Sequence, residues 1–361
     1  MDRKLVLENG TELQAKGFGS NKEVIAELVF NTSMVGYQEI LSDPSYKGQI
    51  LVMTYPLIGN YGMIDEDYDS KLFGPEGMIV REYNDKPSNF RYTKTLAEVM
   101  EENEIPGLAH LDTRRLTRIL RDEGSMLGLI CDATVSHEEA MAKLAAYTKP
   151  EQLVRKVTCR KKWYSRCANP KYNVVAVDCG IQYSIIRELN RYGCNVTIVP
   201  ADTDMETVMS LNPDGILVSN GPGNPEENGA VVELIRQLQG KKPMLGFGLG
   251  FQLIALANGL TTEKCKKGYH GCNIPVKNLT TEKVDIVPLN YCYKVNSDGI
   301  ENSKAEVTHI NLLDGTVAGL TVAEDNVTAI QFTPDALAAP RAAEQIYTTL
   351  VQQMETNKEG C

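Results

Sequence analysis

The sequence predicts a two-domain α/β protein: a mixed α/β domain over residues 1–150, a linker over 151–171, and a doubly wound, mostly parallel α/β domain over 172–361. Three observations lead there. The 361 residues exceed what one hydrophobic core usually organises. Near residue 172 the texture changes from short β-like runs in turn-rich loops to alternating strands and helices, the pattern of a parallel sheet covered on both faces. Between the two textures, Lys149 to Tyr172 is rich in Lys and Arg, lacks periodicity and passes through Asn169-Pro170, which marks the connection.

In the amino-terminal half, Leu5-Leu7, Val24-Phe30, Ile50-Thr54 and Gly77-Val80 read as strands, and Asn9-Gly10 as the turn of a hairpin. Asp112 or Thr113 caps a helix running to Gly124, with Leu116, Ile119 and Leu120 on one side and Arg114, Arg118 and Arg121 on the other. That basic stripe is either a solvated face or a docking surface for an acidic partner. In the carboxyl-terminal half, Val174-Val177 is a buried strand, followed by the loop Asp178-Cys179-Gly180 and a helix from about Ser184 to Tyr192 stopped by Gly193. Val196-Val199 is the second strand, Thr203 and Glu206 make a capping box, and Gly215-Val218 is the third strand. Asn224-Pro225-Glu226-Glu227 reads as a cap, a first-position proline and first-turn acids. Met244-Leu245 leads through a glycine-rich elbow into Gln252-Ala257. Past residue 280 β-like runs return, and a helix around Ala342 to Met354 closes the chain.

Composition narrows the function classes. The balance of 47 acidic against 37 basic residues, a net charge of -10, repels phosphate backbones and anionic lipid, so neither nucleic acid nor a membrane surface is the expected partner. Hydrophobic content of 42% with 23% charged residues excludes disorder and collagen. Nine scattered cysteines without close pairs read as reduced thiols of a cytoplasmic protein, with no metal site; His270-Gly271-Cys272 offers at most two ligands. No secretory signal is read at the start, where Met1-Asp2-Arg3-Lys4 leads directly into Leu5-Val6-Leu7.

Three loops at strand ends concentrate the chemistry: Ser219-Asn220-Gly221-Pro222-Gly223-Asn224-Pro225, Gly246-Phe247-Gly248-Leu249-Gly250-Phe251-Gln252, and Gln331-Phe332-Thr333-Pro334-Asp335. The carboxyl ends of strands are where doubly wound sheets build sites. With these loops and with Phe30-Asn31-Thr32-Ser33-Met34-Val35-Gly36-Tyr37-Gln38-Glu39, Asp43-Pro44-Ser45-Tyr46, Thr54-Tyr55-Pro56-Leu57-Ile58-Gly59-Asn60-Tyr61-Gly62 and Asp112-Thr113-Arg114-Arg115-Leu116-Thr117, the chain resembles the small, glutamine-hydrolysing subunits of carbamoyl-phosphate synthetase. The resemblance covers nearly the whole chain. It implies an amino-terminal domain particular to those small subunits, followed by a flavodoxin-like class I glutamine amidotransferase domain.

The family's reaction needs a cysteine on the elbow to attack the glutamine amide, a histidine to activate the thiol and protonate ammonia, and a glutamate to orient the histidine. At the matching positions stand Gly248, Thr333 and Asp335. The chain's histidines are 110, 137, 270 and 309, none of them in the matching loop. Ser45, Gly221, Gly223, Leu249, Gln252 and Asn290 occupy positions where the family contacts glutamine, with the backbone N–H groups of Gly223 and Leu249 at its oxyanion hole. Cys292 and Tyr293 fall where the family has a glycine and an aromatic lining the same pocket, and Cys292 narrows it. The resemblance thus implies a small chain that has lost glutaminase activity and acts as a non-catalytic partner of a large, ammonia-using synthetase chain. That partner would serve pyrimidine or arginine synthesis, and ATP and metal ions would belong to it, with no cofactor in this chain. Two alternatives stay open: a stand-alone sensor that binds glutamine or another small amide without cleaving it, and an active glutaminase using Cys292 or Cys179.

Overall fold

The computed structural model describes residues 2–334 and 339–359. It divides into two compact units: Met1–Pro150 with Lys266–His270, and Glu151–Cys265 with Gly271–Cys361.

The first unit is built on a closed barrel. Its elements in chain order are β1 (Asp2–Leu7), β2 (Glu12–Gly19), β3 (Val24–Asn31), α1 (Tyr37–Leu41), β4 (Gln49–Met53), β5 (Leu57–Ile58), β6 (Gly77–Ile79), β7 (Glu82–Tyr83), α2 (Leu96–Glu102), β8 (Pro106–Ala109), α3 (Thr113–Glu123), β9 (Leu127–Asp132) and α4 (His137–Ala146). The barrel runs β1-β2-β8-β6-β4-β3-β9, closed by antiparallel pairing of β9 with both β1 and β3. Asn9-Gly10 is the turn of the β1–β2 hairpin, with Gly10 at φ 84°. Leu5, Leu28, Ile50, Val52 and Ile130 fill the interior, and Leu116 and Leu120 of α3 close it from outside. As its sequence requires, α3 begins at the Asp112 cap, which accepts from Arg115 N at 2.9 Å, and stops at Gly124, at φ 107°.

The second unit contains α5 (Leu153–Val157), β10 (Trp163–Ser165), β11 (Tyr172–Asp178), α6 (Tyr183–Arg191), β12 (Cys194–Pro200), α7 (Met205–Ser210), β13 (Gly215–Val218), α8 (Gly229–Leu238), β14 (Met244–Phe247), α9 (Leu249–Ala257), β15 (Thr262–Asn278), β16 (Val284–Val295), β17 (Glu306–Asn311), β18 (Val317–Val322), β19 (Val327–Ile330) and α10 (Pro340–Glu359). They form one sheet in the order β10-β12-β11-β13-β14-β19-β18-β17-β15-β16. Its parallel part, β12-β11-β13-β14-β19, has the second-first-third-fourth-fifth order of flavodoxin-like folds. Val174, Val175, Ala176 and Val177 are all buried because helices cover both faces of β11.

Two expectations need correction. The stretch 151–171, read as a linker, belongs to the second unit; it carries α5 and the edge strand β10, which pairs antiparallel with β12. A three-residue edge strand has too little periodicity to be seen. The α7 cap is Asp204, which accepts from Thr207 N at 2.7 Å, rather than Thr203, whose hydroxyl donates to Pro200 O.

Candidate active site

The loops after β11, β13, β14 and β19 meet at the carboxyl ends of the parallel strands. At their centre Gly248 joins β14 to α9 at φ 55°, ψ -110°, a conformation that costs any residue with a side chain. Three backbone hydrogen bonds fix this elbow: Gly248 N to Ile330 O at 3.0 Å, Gly250 N to Ser219 O at 3.1 Å, and Gln252 N to Gly248 O at 3.3 Å. The flanking glycines are required by contact. A Cβ on Gly246 would drive into Ile254, one on Gly250 into the Val218 carbonyl, and one on Gly221 into the Cys179 carbonyl. At Gly248 a Cβ would meet Asn220 Cβ at 3.3 Å, Asn220 Cα at 3.6 Å and Gln331 O at 3.9 Å. A side chain there would need Asn220 to give by a few tenths of an ångström, far less than the flanking glycines would require.

Around it the donors and acceptors are ordered. Leu249 is the first residue of α9, so its N–H is one of the amides that a helix leaves without an intrahelical acceptor. Gly223 sits at φ 90°, a turn that only glycine takes cheaply. Gln252 is buried, and its Nε2 donates to Tyr293 O at 2.6 Å and to Gln331 Oε1 at 3.0 Å, tying α9 to β16 and to the loop after β19. In that loop the Thr333 hydroxyl donates to Gln182 Oε1 at 3.5 Å. A hydroxyl cannot accept and return a proton near neutral pH as an imidazole does. Asp335 lies outside the described residues.

A model of the carbamoyl-phosphate synthase small chain, CPSase domain, matches residues 5–130, and one of class-I glutamine amidotransferases matches 175–353. The carbamoyl phosphate synthase small chain of Bacillus caldolyticus is 44% identical over 361 residues, spanning 100% of this chain and 99% of that protein. This chain belongs to the carbamoyl-phosphate synthase small-chain family. The pyrimidine-specific small chain of Halalkalibacterium halodurans is 42% identical over 358 residues, 99% of this chain and 98% of that protein. Among solved structures, a putative GMP synthase protein of Thermoplasma acidophilum aligns with 52% of this chain and 96% of its own, with a TM-score of 0.45 at 22% identity.

Against the family's motifs, the residues carried over from the resemblance divide between the units. Gly221, Gly223, Leu249, Gln252, Asn290, Cys292 and Tyr293 lie in the second unit, the last three on β16. Ser45 lies in the first, in a short turn where its N–H donates to Asp43 Oδ1 at 2.9 Å. Cys179 is fully buried, and burial first, then the neighbouring Asp178, pushes its thiol well above the ordinary range. A thiol held protonated is a poor nucleophile. Cys292 is partly exposed.

Sequence spacing missed one residue. His309 ends up beside this region because β17, β18 and β19 pair so that His309 faces Gly319, and Gly319 faces Ile330. Its ring packs edge-on against Phe332, centroids 5.6 Å apart, and its Nδ1 lies 2.9 Å from Thr308 Oγ1. Burial lowers its pKa to about 4, against a smaller opposing pull from Asp285. Such an imidazole is neutral but weakly basic, a poor replacement for a catalytic histidine. Only the antiparallel register, invisible in spacing, signals its position. Among the described residues no group of three or more His, Cys, Asp or Glu is placed to hold a metal ion, and no helix is long and apolar enough to cross a membrane.

Proposed function

We propose that this chain is a small-chain homologue that no longer hydrolyses glutamine and serves as a non-catalytic partner of a large, ammonia-using synthetase chain. The observation that carries this is Gly248: the backbone has the shape that would present a nucleophile, a side chain there is obstructed far less than at the flanking glycines, and none is present. Losing a nucleophile from a hydrolase of this logic costs on the order of 10⁶-fold in turnover, and an oxyanion hole alone leaves roughly 10³-fold over water. Thr333 at the base position points the same way, as does the weak basicity of His309. The relatives' names describe small chains of carbamoyl phosphate synthase, and the proposed partner follows from them.

The test is a paired assay of the complex with its large chain, using glutamine or ammonium as nitrogen donor. Carbamoyl phosphate formation with ammonium only, and faster when this chain is present, is expected. Equal rates with glutamine would refute the loss of glutaminase activity. A second reading, glutamine bound without cleavage, is favoured by the ordered elbow and the buried Gln252. Calorimetry with glutamine on the chain alone distinguishes it.

A further inference from the structure

Cysteines far apart in the sequence are brought together at the outer edge of the second unit's sheet. Strand β10 pairs antiparallel with β12 in the register Trp163↔Ile198, Tyr164↔Thr197 and Ser165↔Val196. Carried two residues past the end of β10, that register sets Cys167 opposite Cys194, the first residue of β12. Side chains hold the backbone on this course. Asn195 Oδ1 accepts from Cys167 N at 3.2 Å, and Asn190 of α6 bridges the two strands: its Oδ1 accepts from Ser165 Oγ at 2.7 Å and its Nδ2 donates to Cys194 O at 2.8 Å. The two sulfurs sense each other. Burial first, and then the charge on Cys167, pushes the Cys194 thiol up to about 12. Directly opposed residues of antiparallel strands have Cα atoms about 4.5–5.5 Å apart, inside the range that a disulfide spans. Exposure divides the pair. Cys194 is fully buried, whereas Cys167 is partly exposed and lines two surface grooves of about 510 and 330 Å³. Lys171 and Arg191 line the first groove and Arg166 the second.

We propose that Cys167 and Cys194 are a reactive thiol pair, which a low-molecular-weight, carboxylate-bearing disulfide oxidises to a reversible cross-strand disulfide. This is independent of the reading of the elbow. The Cys167 thiolate attacks one sulfur of the small disulfide, whose S–S bond breaks and whose other half leaves as a thiolate. Cys194 then gives up its proton, and its sulfur attacks Cys167 Sγ, breaking the mixed disulfide and releasing the second small thiol. Two protein thiols are oxidised, and one small disulfide is reduced to two thiols. The proton held on buried Cys194 makes the second step the slow one, and excess small thiol reverses both. The cations of the grooves draw carboxylates toward Cys167. Once formed, the bond staples the three-residue edge strand β10 to β12. It thereby ties down the stretch 151–171, whose Cys159 N donates to Asp178 Oδ2 at 2.8 Å at the carboxyl end of β11, where the candidate site is built.

The test incubates the reduced full chain with glutathione disulfide at about pH 8, alkylates the remaining thiols and maps the peptides by mass spectrometry. A Cys167–Cys194 cross-link, the loss of two alkylatable thiols and a melting temperature several degrees higher are expected, all reversed by dithiothreitol. In Cys194→Ser the reaction should stop with glutathione on Cys167. In Cys167→Ser the buried Cys194 should stay unreacted. Glutathione left stably on Cys167 of the wild type would overturn the pairing, and so would an unmodified Cys167 or cross-links spread among other cysteines. Should either serine variant fail to fold, the wild-type map decides alone. Neutral hydroxyethyl disulfide reacting as fast as glutathione disulfide at low salt would overturn the part assigned to the cations.

Discussion

The elbow after β14 and the loop after β19 lie at the same end of one sheet and differ in what they keep. The elbow keeps its backbone: a left-handed hinge at Gly248, glycines at 246 and 250 where nothing larger fits, and hydrogen bonds to Ser219 and Ile330. The β19 loop keeps its packing, with Gln331 and Phe332 buried, and places the hydroxyl of Thr333 where the family's motif has a proton carrier. The contrast teaches that the backbone geometry of the elbow and the side chains presented around it are specified separately. Close packing specifies the first, and a few side chains that contribute little to folding specify the second.

That contrast can be broken in order of effect. Gly250→Ala should be the most damaging substitution, roughly 3 kcal/mol at the upper end of overpacking losses, because the new methyl meets the Val218 carbonyl; urea unfolding measures it. Next comes pH. His309 has a folded pKa of about 4 against 6.5 when unfolded, so the unfolded chain takes up the proton first as the solution is acidified. Stability is therefore full above about pH 6.5 and falls by up to about 3 kcal/mol on approach to pH 4. Comparing His309→Phe with the wild type in urea melts at pH 7 and pH 5 should show a smaller difference between the two pH values for the variant.

Gly248→Ala should cost less, about 1–2 kcal/mol from the left-handed backbone, since the new methyl meets only Asn220 tightly, at 3.3 Å, and no carbonyl closer than 3.9 Å. A loss as large as that of Gly250→Ala would mean that packing, and not conformation, holds glycine there. Smallest is Asp112→Ala in the first unit, about 1 kcal/mol from the lost cap, read as a shift in melting temperature.

Legibility followed locality. The α3 cap, its glycine stop and its apolar stripe all lie within a dozen residues and were readable; so was the elbow, whose glycines are spaced by two. Closure of the barrel was not, because pairing β9 with β1 joins the two ends of the first unit. The α7 cap moved by one residue because Thr203 and Asp204 are both competent caps, and only the structure chooses. His309 was invisible for a third reason: two strands and a register separate it from the loop it packs against.

The most direct measurement is intact-protein mass spectrometry after exposing the wild-type chain, with its large partner, to a glutamine-mimicking electrophile. An unmodified mass is expected, since the elbow presents no thiol. A stoichiometric adduct on Cys292 or Cys179 would contradict the loss of the nucleophile and return this chain to the active glutaminases.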